Sequence, residues 1–169
     1  SYHGIDGFVT NRKDVALFTF YADCLPIFIY DMENNAIGVA HSGWPGTYKE
    51  IQKNLLETMI KEYGSNPKNI LLALGIGIGV SDYEVGTEFY EKFTEKFDRE
   101  LIENSFIYSK NKSKYYFDNV GFNKISALRM GIPDKNIITA SESTMEEKFH
   151  SYRREGKDSG RATALIAFE

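Results

Sequence analysis

The sequence predicts an α+β fold, a single domain in which mixed β-sheets pack with helices. Strand-like and helix-like segments alternate without the regular rhythm of a doubly wound parallel sheet. At 169 residues, 42% apolar and 14% aromatic, the chain is long enough to bury one sizeable core and short for two. No internal repeat, low-complexity linker or composition shift divides it, so residues 1–169 read as one domain.

Val15 to Asp31 is rich in β-branched and aromatic residues, as buried strands are, and Pro26 predicts a break that leaves two short strands. Met32-Glu33-Asn34-Asn35 reads as a hairpin turn into a strand from Ala36 to His41. Thr47 and Glu50 have capping-box spacing, and Ile51, Leu55 and Met59 then recur at helical intervals until Gly64 and Pro67. Asn69 to Leu74 reads as a strand that enters Gly75-Ile76-Gly77-Ile78-Gly79, and Phe89, Phe93 and Phe97 mark one face of a second helix. A third helix is expected over Val120 to Met130, closed by Gly131 and Pro133, with a strand at Asn136 to Ala140. Phe149 to Arg154 and Arg161 to Phe168 flank a loop of turn residues and predict a C-terminal hairpin.

Charge and composition exclude some roles. With 20 basic and 24 acidic residues the net charge is −4, which gives no reason to expect nucleic acid as a partner. No apolar run reaches the roughly 20 residues that span a bilayer, and no leader is evident, so no membrane partner is expected. A lone cysteine forbids an intrachain disulfide and points to a reducing, cytoplasmic setting. The chain opens on Ser1 without a methionine, so its start is expected to be processed or truncated.

The chemistry concentrates at Cys24 and His41, seventeen residues apart. A thiol and an imidazole can form a nucleophile and base dyad, or two corners of a zinc site that needs at least one further protein ligand. If the hairpin turn centres on Met32 and Glu33 the two lie nearly opposite each other; if it centres on the asparagines they are several residues out of register. The bland reading of Cys24 is a small buried hydrophobe, and that of His41 an imidazole satisfied by backbone. The Gly75 to Gly79 loop has the position of an anion cradle but neither the dinucleotide nor the P-loop spacing, and close backbone packing explains it equally well. Asp82 and Glu84 offer a general acid. Arg153, Arg154 and Arg161 offer guanidinium groups for a phosphate or carboxylate; on a strand Arg153 and Arg154 face opposite ways, so one of them is expected to be structural.

Asp6-Gly7-Phe8-Val9-Thr10, Ala22-Asp23-Cys24-Leu25-Pro26, His41-Ser42-Gly43-Trp44, Gly77-Ile78-Gly79 with Tyr83-Glu84-Val85-Gly86, and Ser151-Tyr152-Arg153-Arg154 with Gly160-Arg161, in this order, resemble the motifs of the laccase-domain family. This family is also called multicopper polyphenol oxidase-like or YfiH-like, and its members are regarded as purine nucleoside phosphorylases with adenosine deaminase activity. The resemblance runs from about Asp6 to Phe168 and implies purine nucleosides and phosphate as substrates. It further implies a zinc ion held by Cys24, His41 and a second histidine from an N-terminal segment that this chain is expected to lack; His3 is not assigned to that place. Pro45 stands where the family has a basic residue, and Ser81-Asp82 and Ser143 where cysteines are common. One cysteine and three histidines cannot supply the several copper sites of a multicopper oxidase, so a laccase activity is rejected. Two further readings stay open: a cysteine hydrolase built on a Cys24/His41 dyad, and a non-catalytic partner-binding domain.

Overall fold

The computed structural model describes residues 4–109 and 113–169. Its strands are β1 (Gly7–Thr10), β2 (Leu17–Tyr21), β3 (Leu25–Asp31), β4 (Ala36–Ser42), β5 (Ile70–Leu74), β6 (Glu84–Val85), β7 (Phe106–Ser109), β8 (Lys114–Phe117), β9 (Ile137–Thr139) and β10 (Ala162–Ile166). Its helices are α1 (Trp44–Tyr48), α2 (Ile51–Tyr63), α3 (Thr87–Thr94), α4 (Arg99–Ser105), α5 (Asn119–Arg129) and α6 (Tyr152–Glu155). They form a central sheet in the order β1-β4-β3-β5-β9, a ribbon of β10 and β2, and a three-stranded sheet β6-β8-β7. Strand β9 runs parallel to β5 while the other central pairs are antiparallel, so the sheet is mixed, as expected for the α+β class.

Side-chain alternation on β4 explains the layering. Ala36, Gly38 and Ala40 face α2, and a methyl group on Gly38 would already meet Leu55 at 3.5 Å, so small residues let the helix sit close to the sheet. Ile37 and Val39 face the other way and pack with Leu17 and Ala164 of the β2–β10 ribbon. Strand β3 divides likewise: Leu25, Ile27 and Ile29 join Leu55, Leu56 and Met59 in the aliphatic core, whereas Phe28 and Tyr30 turn to the ribbon. Each fully buried aliphatic chain of this core contributes about 1.5–3 kcal/mol. A separate aromatic core, in which Phe93 and Phe117 are fully buried among Phe89, Phe106 and Phe122, joins α3, α4 and α5 to the β6-β8-β7 sheet.

Several expectations hold with altered detail. The break between β2 and β3 falls at Ala22-Asp23-Cys24 rather than at Pro26, which lies inside β3. The Pro26 carbonyl accepts from Gly75 N at 2.9 Å, so its missing N–H forfeits only the reciprocal bond to Gly75, one residue past the end of β5. Helix α2 forms over the predicted residues and stops at Gly64, which takes φ +69°, but the capping box does not form. Thr47 instead turns inward to Asn119 at 2.7 Å, and Glu50 starts α2 with φ +58°. The predicted C-terminal hairpin is corrected: the Ser151 hydroxyl accepts from Arg154 N and starts one helical turn, α6, while β10 pairs with β2 across the molecule. A hairpin needs both arms extended, and the cap removes one.

Candidate active site

Strand pairing brings the two leading residues to one cleft. The turn after Asp31 uses four residues, so Asp31 pairs with Ala36 and Pro26 with His41. This register lies between the two turn positions considered above and sets Cys24 beside Gly43, where a methyl group would stand 2.9 Å from the Cys24 sulfur. His41 follows Ile37 and Val39 on the ribbon side of β4. A cleft of about 370 Å³ opens there, and its walls include Cys24, His41, Arg153 and Arg161 with Phe20, Tyr21, Asp23, Tyr83, Asn119 and Tyr152.

The His41 side chain is partly buried and its Nδ1 stands 3.4 Å from Asp6 Oδ1, while the His41 amide donates to the Asp6 carbonyl at 2.7 Å. Burial pushes the Cys24 thiol up from 9.0 to about 11; the carboxylates of Asp23 and Asp6 add to the rise and Arg161 opposes it. Near neutral pH Cys24 is therefore a neutral thiol, which does not favour the dyad hydrolase, since the thiolate is the nucleophile. Burial also raises the Tyr83 phenol, with Arg153 opposing, so its hydroxyl stays protonated.

The arginines divide. The Arg153 guanidinium lies 5.6 Å from the Tyr83 ring centre and donates to the Glu84 carbonyl at 3.1 Å, while Arg161 reaches the cleft with Nη1 on the Ser159 and Gly160 carbonyls at 2.8 Å. Arg154 does not line the cleft. It donates to the carbonyls of Met145, Glu146 and Phe149 and pairs with Glu155 at 2.5 Å, tying the 144–149 segment to α6. Asp82 and Glu84 also stand outside the cleft wall. Asp82 accepts from the Ser143 hydroxyl at 2.7 Å, and the Glu84 carboxylate faces Lys114 at 4.0 Å.

The glycine loop is packing. A methyl group at Gly75 would stand 2.7 Å from Pro26, and one at Gly77 3.2 Å from the Asp23 carbonyl. The amides of Gly75, Ile78 and Gly79 are already bonded to Pro26 O, Asp23 O and Ser143 Oγ, which leaves none of the three for an anion.

The expected zinc centre is corrected. A catalytic zinc needs three protein ligands. Among the described residues no group of three His, Cys, Asp or Glu side chains is placed to hold a metal ion. Cys24 and His41 share the cleft without a third donor, for Asp23 is engaged by Thr144 and the Arg153 amide, and His3 lies outside the described residues. These residues do not make a zinc site.

Sequence reasoning missed Asn119, which is 4% exposed, accepts from Thr47 Oγ1 at 2.7 Å and donates to the Ser42 carbonyl at 3.2 Å, bracing the end of β4 beneath the cleft. No local pattern marks Asn119, because its partners Ser42 and Thr47 are distant in sequence. Tyr83 and Tyr152 stood in the family-like motifs but were given no role.

A fold of this kind is shared by known proteins. The structure aligns with the YfiH protein of Bacillus licheniformis at a TM-score of 0.89 and 29% identity, over 97% of this chain and 61% of that one. It aligns with YlmD of Geobacillus stearothermophilus at 0.90 and 27%, over 98% and 62% respectively. Among curated sequences, a purine nucleoside phosphorylase of Bacteroides thetaiotaomicron is 33% identical over 167 residues, covering 97% of this chain and 61% of that protein. One from Staphylococcus epidermidis is 36% identical, with 97% and 60% coverage. The chain thus spans about 60% of the length of these relatives. The sequence model of the family described as multi-copper polyphenol oxidoreductase laccase matches residues 1–169, and the chain belongs to that family.

Proposed function

We propose that this chain carries the phosphorolytic site of a purine nucleoside phosphorylase. One observation carries the reading: a single cleft gathers His41, Arg153 and Arg161 beside the aromatic side chains of Phe20, Tyr21, Tyr83 and Tyr152. The volume of about 370 Å³ suits a nucleoside with phosphate beside it, and aromatic faces suit a purine base. Arg153 and Arg161 hold inorganic phosphate, since guanidinium groups match its oxygens in bidentate fashion. A phosphate oxygen bonds to the anomeric carbon of the ribose as the N-glycosidic bond breaks, and the bonding electron pair leaves on the base. His41 donates the proton that neutralises the base, and the proton of hydrogen phosphate, passed through solvent, restores the imidazole. Cys24 lines the cleft as a neutral thiol, and Arg154 holds the loop behind α6. The names of the relatives above support phosphorolysis.

Incubation of the purified protein with adenosine, with and without phosphate, followed by chromatography, tests this reading. Phosphate-dependent adenine is expected. Inosine formed without phosphate would add the deaminase activity that the family resemblance implies. No product in either arm would overturn phosphorolysis.

A further inference from the structure

Asp23 joins three segments of the cleft wall. It sits at φ +76°, a left-handed conformation that an L-residue adopts only at a cost and that Asp and Asn tolerate best. Its carbonyl accepts from Ile78 N at 2.9 Å, fixing the glycine loop against the Cys24 turn. Its carboxylate accepts from Thr144 Oγ1 and from the Arg153 amide, each at 2.6 Å. Ser151 serves the next amide, Arg154 N at 3.2 Å, so the short turn α6 is anchored once by its own cap and once from the far side of the cleft. The Arg153 side chain has its own supports in the Tyr83 face and the Glu84 carbonyl. Its backbone rests on Asp23.

We propose that Asp23 is a positioning residue: by holding the start of α6 to the Cys24 turn, its carboxylate sets where the Arg153 guanidinium stands and thereby tunes affinity for the anion. The identity of that anion as inorganic phosphate rests on the phosphorolytic reading above. Misplacement of a binding group by about 1 Å costs up to a hundredfold in a preorganised site, so a residue that holds a binding group in place can govern it. Asp23 acts on the anion through Arg153.

Two substitutions separate this from a general structural role. Asp23→Gly removes the carboxylate yet keeps the positive φ without strain. Asp23→Asn keeps an oxygen for the Arg153 amide and turns its NH2 to Thr144 Oγ1, which can accept. Steady-state kinetics on the purified chain should show KM for phosphate raised about tenfold or more by Asp23→Gly, the scale of a hydrogen bond to a charged group. KM for adenosine should change less than about twofold, and Asp23→Asn should recover most of the loss. An unchanged phosphate KM, or an equal rise in both KM values, would overturn the proposal. Amide hydrogen exchange over residues 151–156 supplies a readout that needs no turnover: faster exchange at Arg153 in Asp23→Gly is expected, and unchanged protection would overturn the proposal. Thus if the unsubstituted protein gave no product, phosphorolysis would fall while the exchange result still decided the role of Asp23. Should Asp23→Gly not fold, Thr144→Val removes one of the two carboxylate partners. A rise of roughly threefold in phosphate KM is then expected, and no rise would overturn the proposal.

Discussion

The two walls of the cleft are built differently. Cys24, just before β3, and His41, in β4, stand at the open end of the β3–β4 hairpin, whose seven paired positions lie in the middle of the central sheet with α2 on one face and the ribbon on the other. Arg153 and Arg161 stand on one helical turn and a coil, held by the Asp23 carboxylate, the Arg154 fan and the pairing of β10 with β2. The first wall is held by a long backbone ladder and aliphatic burial, the second chiefly by a few side-chain polar contacts, with the β10–β2 ladder at its C-terminal end. Damage to the first should unfold the protein. Damage to the second should spoil the site and leave most of the fold.

The largest test is on the hairpin side. Ile29 is fully buried in β3, so Ile29→Ala should cost about 2–5 kcal/mol in a urea titration. Tyr152, half exposed on α6, should cost no more than about 0.5 kcal/mol as Tyr152→Ala. Equal losses would erase the distinction between the walls.

The next test probes how deeply the hairpin wall buries its thiol. A rise from 9.0 to about 11 predicts alkylation of Cys24 by iodoacetamide roughly a hundredfold slower near neutral pH than for an ordinary thiol. Because the folded value is raised, the protonated thiol's contribution to stability is complete below about pH 9 and fades as pH climbs through 11. Rapid alkylation at pH 7.5, followed by intact mass, would show the thiol open to solvent and revive the nucleophile reading.

A smaller effect is expected from Arg154→Ala, which strips partners from the carbonyls of Met145, Glu146 and Phe149. A loss of about 1.5–3 kcal/mol should appear in thermal melts. Arg154→Lys should recover little, because an ammonium lacks the planar fork that spans these acceptors.

The smallest lies away from both walls. Arg129 chiefly, with the Leu101 amide, holds the exposed Asp98 carboxyl down to about 2. That stabilisation is present above about pH 4 and lost as pH falls through 2, so Arg129→Ala should flatten the acid limb of the stability curve there. High salt should mimic the substitution; an unaltered acid limb would show that the pair contributes nothing.

The same contrast explains what was legible in advance. Helix α2, strand β5 and helix α5 were readable because their apolar spacing is a local record of which face is buried. The approach of Cys24 to His41 was readable to within two positions, since a hairpin is a local structure whose register hangs on one turn. The C-terminal hairpin misread a polar segment whose fate turned on a single serine cap, Ser151, and on β2 lying open for β10. Strands β6, β7 and β8 are four residues long or fewer, and β7 and β8 are rich in tyrosine and phenylalanine, a composition that helix α3 shares, so periodicity had too little length to separate them.

By itself the sequence determined the α+β class, the aliphatic and aromatic faces of the longer elements, and the segments that carry Cys24, His41 and the arginines. These depend on side-chain periodicity and turn chemistry, which act over a few residues. Only the tertiary structure decided that Arg153 and not Arg154 faces the cleft, that the glycine loop packs against backbone, that Cys24 and His41 gain no third metal donor among the described residues, and that Asp23 ties the two walls together. The placement of Arg153 and the packing of the glycine loop depend on contacts between residues about fifty or more positions apart, such as Asp23 with Thr144 and Arg153, and no local pattern encodes which distant partner a polar group will meet.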